Sequence, residues 1–141
     1  MNVYDWIDLQ KDIIYQSAEA QAKVVQQVLS RKKQARMTED QKSLSNKELR
    51  VRVRMTKEKY MSIEWLVRQW YTVNNRPRFT TKTLRKGRGF QISRAALTRN
   101  ARVGDLYAVL EAEALFADYR RRFSRLGALE RELAAMGYER S

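Results

Sequence analysis

The sequence predicts an α+β fold, with a long N-terminal helix, a small central antiparallel sheet and a helical C-terminus in a single domain over residues 1–141. Three observations carry this reading. Residues 3–36 contain neither Pro nor Gly. The middle holds two runs rich in β-branched and aromatic residues, separated by the turn-forming "NNRP" at 74–77. From Asp105 onward apolar residues recur at helical spacing.

In the first segment Val3, Ile7, Ile14, Val24 and Val28 recur with Trp6, Leu9, Ile13, Val25 and Leu29 beside them, which describes an amphipathic helix. The stripe is wide, so it packs on the rest of this chain or on a second copy, and residues 1–36 are a candidate oligomerisation element. Residues 37–43, "MTEDQKS", read as a connector. Ser45 and Glu48 then have the spacing of a capping box, with Leu44 and Leu49 placed as its hydrophobic staple. A second helix is therefore expected from about Asn46, with Leu49, Val53 and Tyr60 on one face and Lys47, Arg50, Arg54 and Lys57 outside it. The competing reading is a short strand, because "RVRVRM" alternates strictly.

"SIEWLVRQWYTV" at 62–73 fits both periods, and its β-branched and aromatic content together with the following turn favours a strand. "RFTTKTL" at 78–84 returns as the next strand. Glycines in "RKGRG" at 85–89 allow a further turn, after which "FQI" forms a short third strand of the meander. Ser93 is placed to cap a short helix through Leu97. Asp105 is placed to cap a helix over about 106–125, with Leu106, Val109, Leu110, Ala114, Ala117 and Tyr119 as its core side. Gly127 is expected to interrupt, and "RLGALERELAAMG" at 125–137 to form a shorter helix with Leu126, Leu129, Leu133 and Met136 on one side.

The chain of 141 residues carries 29 Lys and Arg against 16 Asp and Glu, a formal charge of +13. That excess is not spread evenly. Residues 1–30 sum to −2, 31–60 to +7, 61–102 to +9 and 103–141 to −1. A basic block between near-neutral ends is the footprint of a polyanion-binding face, so residues 45–102 are the candidate nucleic-acid-binding centre and 103–141 the C-terminal helices. No apolar run is long enough to span a membrane, and the acidic N-terminus is unlike a signal peptide, which makes a cytoplasmic location the default.

With no His and no Cys, the chain can build no imidazole base, Ser-His-Asp unit, thiolate nucleophile or imidazole or thiolate zinc site. The basic middle offers Glu64 as its one acid between residues 61 and 102, too few carboxylates for a nuclease metal centre. Glu111 and Glu113 read as solvated helix surface. No enzyme, no metal and no cofactor are expected. Lys86-Gly87-Arg88-Gly89 lacks both the spacing and the Ser or Thr of a nucleotide-binding P-loop. It suits a nucleic-acid backbone instead: the glycines allow close approach, while Lys82, Arg85, Lys86 and Arg88 bring charge.

Arg68, Arg76, Arg78, Arg94, Arg99 and Arg102 extend the basic set through the flanking segments, and Arg50 and Arg54 supply it from the N-terminal side. Trp65, Trp70, Tyr71, Phe79 and Phe90 are interleaved with these cations, a combination able to stack bases. Trp65 and Phe79 nevertheless read as core, and Trp70 divides evenly between the two roles. "YRRRFSR" at 119–125 reads as a solvated helix face with local ion pairs to Glu111, Glu113 and Asp118.

The succession "IEW…W", "TLRKGRGFQISRAAL" and "RVGDLYAVLEAEALFADYRR" over about 60–125 resembles the MobI-type auxiliary mobilisation proteins of integrative and conjugative elements and conjugative plasmids. The first 60 residues add nothing to that likeness. The resemblance implies a non-enzymatic partner of a relaxase at an origin of transfer, and it carries over no site residue. The expected function is thus that of a DNA-binding accessory protein of conjugative transfer, with DNA, a relaxase and a second copy of the chain as partners and no membrane. An RNA- or ribosome-associated protein, and a small mobile-element or phage inhibitor acting by protein contact, are the alternatives.

Overall fold

The computed structural model describes residues 1–37, 47–57 and 59–140. Helix α1, Val3–Met37, is followed by strands β1, Lys47–Thr56, β2, Tyr60–Val73, and β3, Arg76–Thr83. Helix α2, Arg94–Asn100, a single 3-10 turn at Val103–Asp105 and helix α3, Leu106–Ala135, complete the chain. The α+β architecture expected from the sequence is observed. Its sheet is antiparallel in the order β1-β2-β3.

β1 occupies the segment first read as a basic helix, and the competing strand reading holds. Ser45, the proposed cap, lies outside the described residues. The alternation decides the matter: Leu49 is buried and Val51 and Val53 pack partly against the core, while Arg50, Arg52 and Arg54 point to the other face. β1 thereby replaces the expected third strand. "FQI" contributes only an isolated bridge, Lys86 to Ile92, that closes the basic loop on itself.

Between β2 and β3 the two-residue connection Asn74–Asn75 has φ of 52° and 61°. That is the left-handed pair a type I′ hairpin requires, and Asn tolerates it better than other residues with a side chain. Pro77 is accommodated because β3 is an edge strand. On the opposite edge α1 covers β1, and Gln26 Oε1 accepts a hydrogen bond from the Val51 amide at 3.1 Å.

α1 buries Tyr4, Ile7, Ile14, Ala18, Ala22, Val25 and Leu29, a single stripe of three-, four- and seven-residue steps. Val3, Trp6, Leu9, Ile13 and Val24 are exposed. α1 and α3 pack against each other, with the start of one beside the end of the other. Tyr4 donates to the Tyr138 carbonyl, Lys11 reaches Glu130 at 3.3 Å, and Arg140 reaches Asp8 at 2.6 Å.

Gly127 does not interrupt α3, since an interior glycine costs only about 1 kcal/mol. The helix instead ends at Gly137, whose φ of +92° closes a Schellman turn: Tyr138 N–H bonds to Leu133 at 3.0 Å and Gly137 N–H to Ala134 at 3.1 Å. Its inward side is Val109, Ala112, Glu113, Phe116, Arg120 and Phe123. Of the expected core positions only Val109 is fully buried, and Ala114 is exposed.

The core joins α1, the inner face of the sheet, α2 and α3. At its centre Trp65 is 0% exposed and meets Phe116 edge-on, with ring centroids 5.8 Å apart. Glu113, expected on the surface, is 1% exposed. Its Oε1 accepts from Trp65 Nε1 at 2.9 Å and its Oε2 from the Ile92 amide at 2.8 Å. Arg120, two turns further along the same helix face, grips both oxygens at 2.8 and 3.1 Å. The same guanidinium donates to the Ile63 carbonyl at 2.9 Å and the Phe90 carbonyl at 2.8 Å. One buried ion pair therefore ties α3 to β2 and to both ends of "FQI". Arg121 and Arg122 do form the expected exposed pairs with Asp118.

Candidate nucleic-acid interface

Alternation along β1 and β2 sends apolar residues toward the helices and leaves the opposite face of the sheet without a described helix over it. The register places Glu48 opposite Arg68, Arg50 opposite Leu66, Arg52 opposite Glu64 and Arg54 opposite Ser62 on that outer face. From β3 the register adds Phe79 beside Trp70 and Thr81 beside Arg68. The result is a ridge of arginines along β1 and, beyond the other end of that strand, an aromatic cluster at the start of the hairpin, with Arg68 between them.

Trp70 and Phe79 pack with centroids 4.9 Å apart, and the Arg68 guanidinium lies 4.2 Å from the Phe79 ring centroid. Trp70 Nε1 donates to Glu48 at 3.3 Å. Phe79, expected in the core, is 45% exposed, because its strand lies at the edge of the sheet with no helix over it. Tyr71 is exposed as well.

The hairpin is basic on its other face also. Arg76, Arg78 and Lys82 pair with Val73, Tyr71 and Val67, and every residue of β3 is exposed. Past the last β1 pair, at Gln69, the ribbon is two-stranded among the described residues for the four pairs from Trp70–Phe79 to Val73–Arg76, about 13 Å of strand. A two-stranded ribbon of this kind fits the major groove of duplex DNA.

The remaining predicted cations occupy two other places. Arg85, Lys86 and Arg88 are exposed on the 84–92 loop, where Lys86 approaches the Phe90 ring at 5.5 Å. Arg94 and Arg99 are exposed on α2, whose N-cap Ser93 accepts from the Ala96 amide at 3.3 Å, as expected. The eleven candidates therefore do not form one patch. The outer face gathers Arg50, Arg54 and Arg68, the inner face of the hairpin gathers Arg76, Arg78 and Lys82, and the loop and α2 hold the rest.

Arg52 was absent from the predicted set. The signal was present in "RVRVRM", since a period of two aligns 50, 52 and 54, whereas a helical reading separates them.

Charge is unevenly available over these surfaces. Glu64 holds Arg52 at 3.1 Å and Arg54 Nε at 2.9 Å, and Glu48 lies 4.0 Å from Arg50. By contrast Arg76, Arg78, Lys82, Arg85, Lys86, Arg88, Arg94 and Arg99 enter no ion pair among the described residues. Nor is there, among those residues, any cluster of three or more His, Cys, Asp or Glu able to hold a metal. No described helix is long and apolar enough to cross a membrane.

A family model described as MobI protein matches residues 15–134. That match takes in most of α1 and all of β1, and so extends well beyond the 60–125 stretch that carried the resemblance. No curated protein and no solved structure matches the chain.

Proposed function

The chain belongs to the MobI protein family, and we propose that within this mobilisation-related role it is a non-catalytic DNA-binding partner of a relaxase at an origin of transfer. The observation that carries the proposal is the outer face of the sheet, which no described helix covers, with Arg50, Arg52 and Arg54 along β1, Arg68 against the Trp70–Phe79 pair beyond the end of β1, and an adjoining hairpin whose cations enter no ion pair among the described residues. The arginines and lysines neutralise phosphates and set affinity. The hairpin enters a groove, where its side chains meet base edges.

The test is a salt series with a transfer-origin fragment, a scrambled duplex and an RNA duplex. Residues 31–102 carry a net +16, and contact with about six phosphates gives a log–log slope near −5 for duplex DNA. A slope shallower than about −2 rejects a phosphate-binding face, and equal affinity for RNA rejects a DNA-specific one.

We propose further that a second copy of the chain covers the exposed stripe of α1. Trp6, Leu9, Ile13 and Val24 lie on the side opposite the buried stripe. The net charge along the α1 sequence favours an antiparallel pairing: Asp5, Asp8, Asp12 and Glu19 outnumber Lys11 in the first half, and Lys23, Arg31, Lys32, Lys33 and Arg36 follow in the second, so halves of opposite net charge are brought together. Light scattering is expected to give a dimer for the intact protein and a monomer for Ile13→Glu, with weaker DNA binding by the monomer. A monomeric parent at high micromolar concentration removes the proposal.

A further inference from the structure

A groove of about 1030 Å³ lies between the second half of α3, the start of β2 and the 84–92 loop. It is at the upper end of the range for small-ligand sites, about 300–1,000 Å³. We infer that this groove holds unpaired nucleotides of a single DNA strand, at a site separate from the outer face of the sheet.

The fold opens the groove at a strand edge. β3 leaves β2 after Thr83 pairs with Leu66, so Tyr60–Glu64 have no strand on that side. Arg120 fills part of this edge by donating to the Ile63 carbonyl, which blocks addition of a partner strand. Gly127 sits in the wall. A Cβ there would meet only Arg131 Nη1, at 3.5 Å. Glycine in a helix interior costs about 1 kcal/mol, and its effect here is to keep the groove wide.

What lines the groove is aromatic planes beside free cations. Tyr60 and Tyr138 are 55% and 57% exposed. Lys59 lies 5.7 Å from the Tyr60 centroid and Lys86 5.5 Å from that of Phe90. Lys59, Arg85, Lys86 and Arg131 enter no ion pair among the described residues. The lining acids are Glu64, Glu130 and Glu139, of which Glu64 and Glu130 are paired with arginines. Arg140 is held above the usual arginine range, first by its hydrogen bond to Asp8 and further by the charges of Glu130 and Asp8, against a lowering by burial.

Alternating planes and unpaired cations match a strand whose bases stack and whose phosphates need charge. A duplex keeps its base faces covered, and an acidic peptide has no use for the planes.

The probe is a fluorescein-labelled oligothymidylate of about eight residues, read by anisotropy on the full chain at about 150 mM salt. The parent is expected to bind it, and Tyr60→Ala with Phe90→Ala to bind it at least about tenfold more weakly. Gly127→Met is expected to melt no lower than the parent and to lose binding by a similar factor, which separates a filled groove from a damaged fold. Arg50→Ala with Arg52→Ala and Arg54→Ala is expected to keep the oligothymidylate while losing duplex, so the two sites fail independently. The inference is overturned if the parent does not bind below about 100 μM, or if both groove variants bind as the parent does. Displacement by poly-glutamate as readily as by unlabelled oligothymidylate overturns it in favour of a protein ligand.

Discussion

Replacing Glu113 with alanine is expected to lower the melting temperature by roughly 10–15 °C. Four donors converge on that carboxylate: Trp65 Nε1, the Ile92 amide and two guanidinium nitrogens of Arg120. Its removal leaves the Arg120 charge uncompensated at a site where both partners are buried. Breaking such a pair costs about 3–5 kcal/mol, and in a chain of this size each kcal/mol moves the transition by a few degrees.

A second readout tests what the pair is for. Because Arg120 and Glu113 hold Phe90 and Ile92, the variant is expected to open the loop between Arg85 and Arg88 and to be cut there by trypsin faster than the parent, below its melting range. Glu113→Ala together with Arg120→Met removes both charges, and is expected to recover part of the stability without restoring protection of the loop. If Glu113→Ala melts within about 2 °C of the parent, the carboxylate does not hold this core together.

Glu113 also marks where the sequence stops being legible. On α3 it sits one residue beyond Ala112 and two from Glu111, and nothing local distinguishes it from solvated surface. Its partners come from Arg120, from the indole of Trp65 on β2 and from Ile92, and only the tertiary fold assembles them. The same limit applies to β1. A capping-box spacing at Ser45 and Glu48 competes with the alternation of "RVRVRM", and pairing with β2 decides between them. Gly127 reads as a break because a helix propensity is local, while packing on α1 carries the helix past it.

The legible parts were those fixed within a few residues. α1 has no breaker from Val3 to Arg36, Asn74–Asn75 supplies the positive φ of a tight hairpin, and Ser93 caps α2. For the candidate interface, the charge block was readable and its division among the two sheet faces, the 84–92 loop and α2 was not. Period decides which arginines share a face, and an incorrect period scatters Arg50, Arg52 and Arg54.

Those three arginines carry the largest expected effect on binding. They stand on one face of β1 opposite Leu66, Glu64 and Ser62, and among the described residues their ion pairs are with Glu64 and Glu48. Each released counterion contributes about 0.9 log units of affinity per log unit of salt, so at about 0.15 M three lost contacts weaken duplex binding on the order of a hundredfold. The slope of the salt dependence is expected to fall by about two to three. Specific and scrambled duplex should lose similar factors, since phosphate contacts position a protein without reading sequence. Stability should change by less than about 1 kcal/mol, because exposed ion pairs contribute little. Arg85→Ala with Lys86→Ala and Arg88→Ala is the matched comparison, equal in charge removed but located on the loop. If the loop triple lowers affinity and slope for duplex while the β1 triple leaves both unchanged, duplex DNA lies on the loop and the outer face of the sheet is free for another partner.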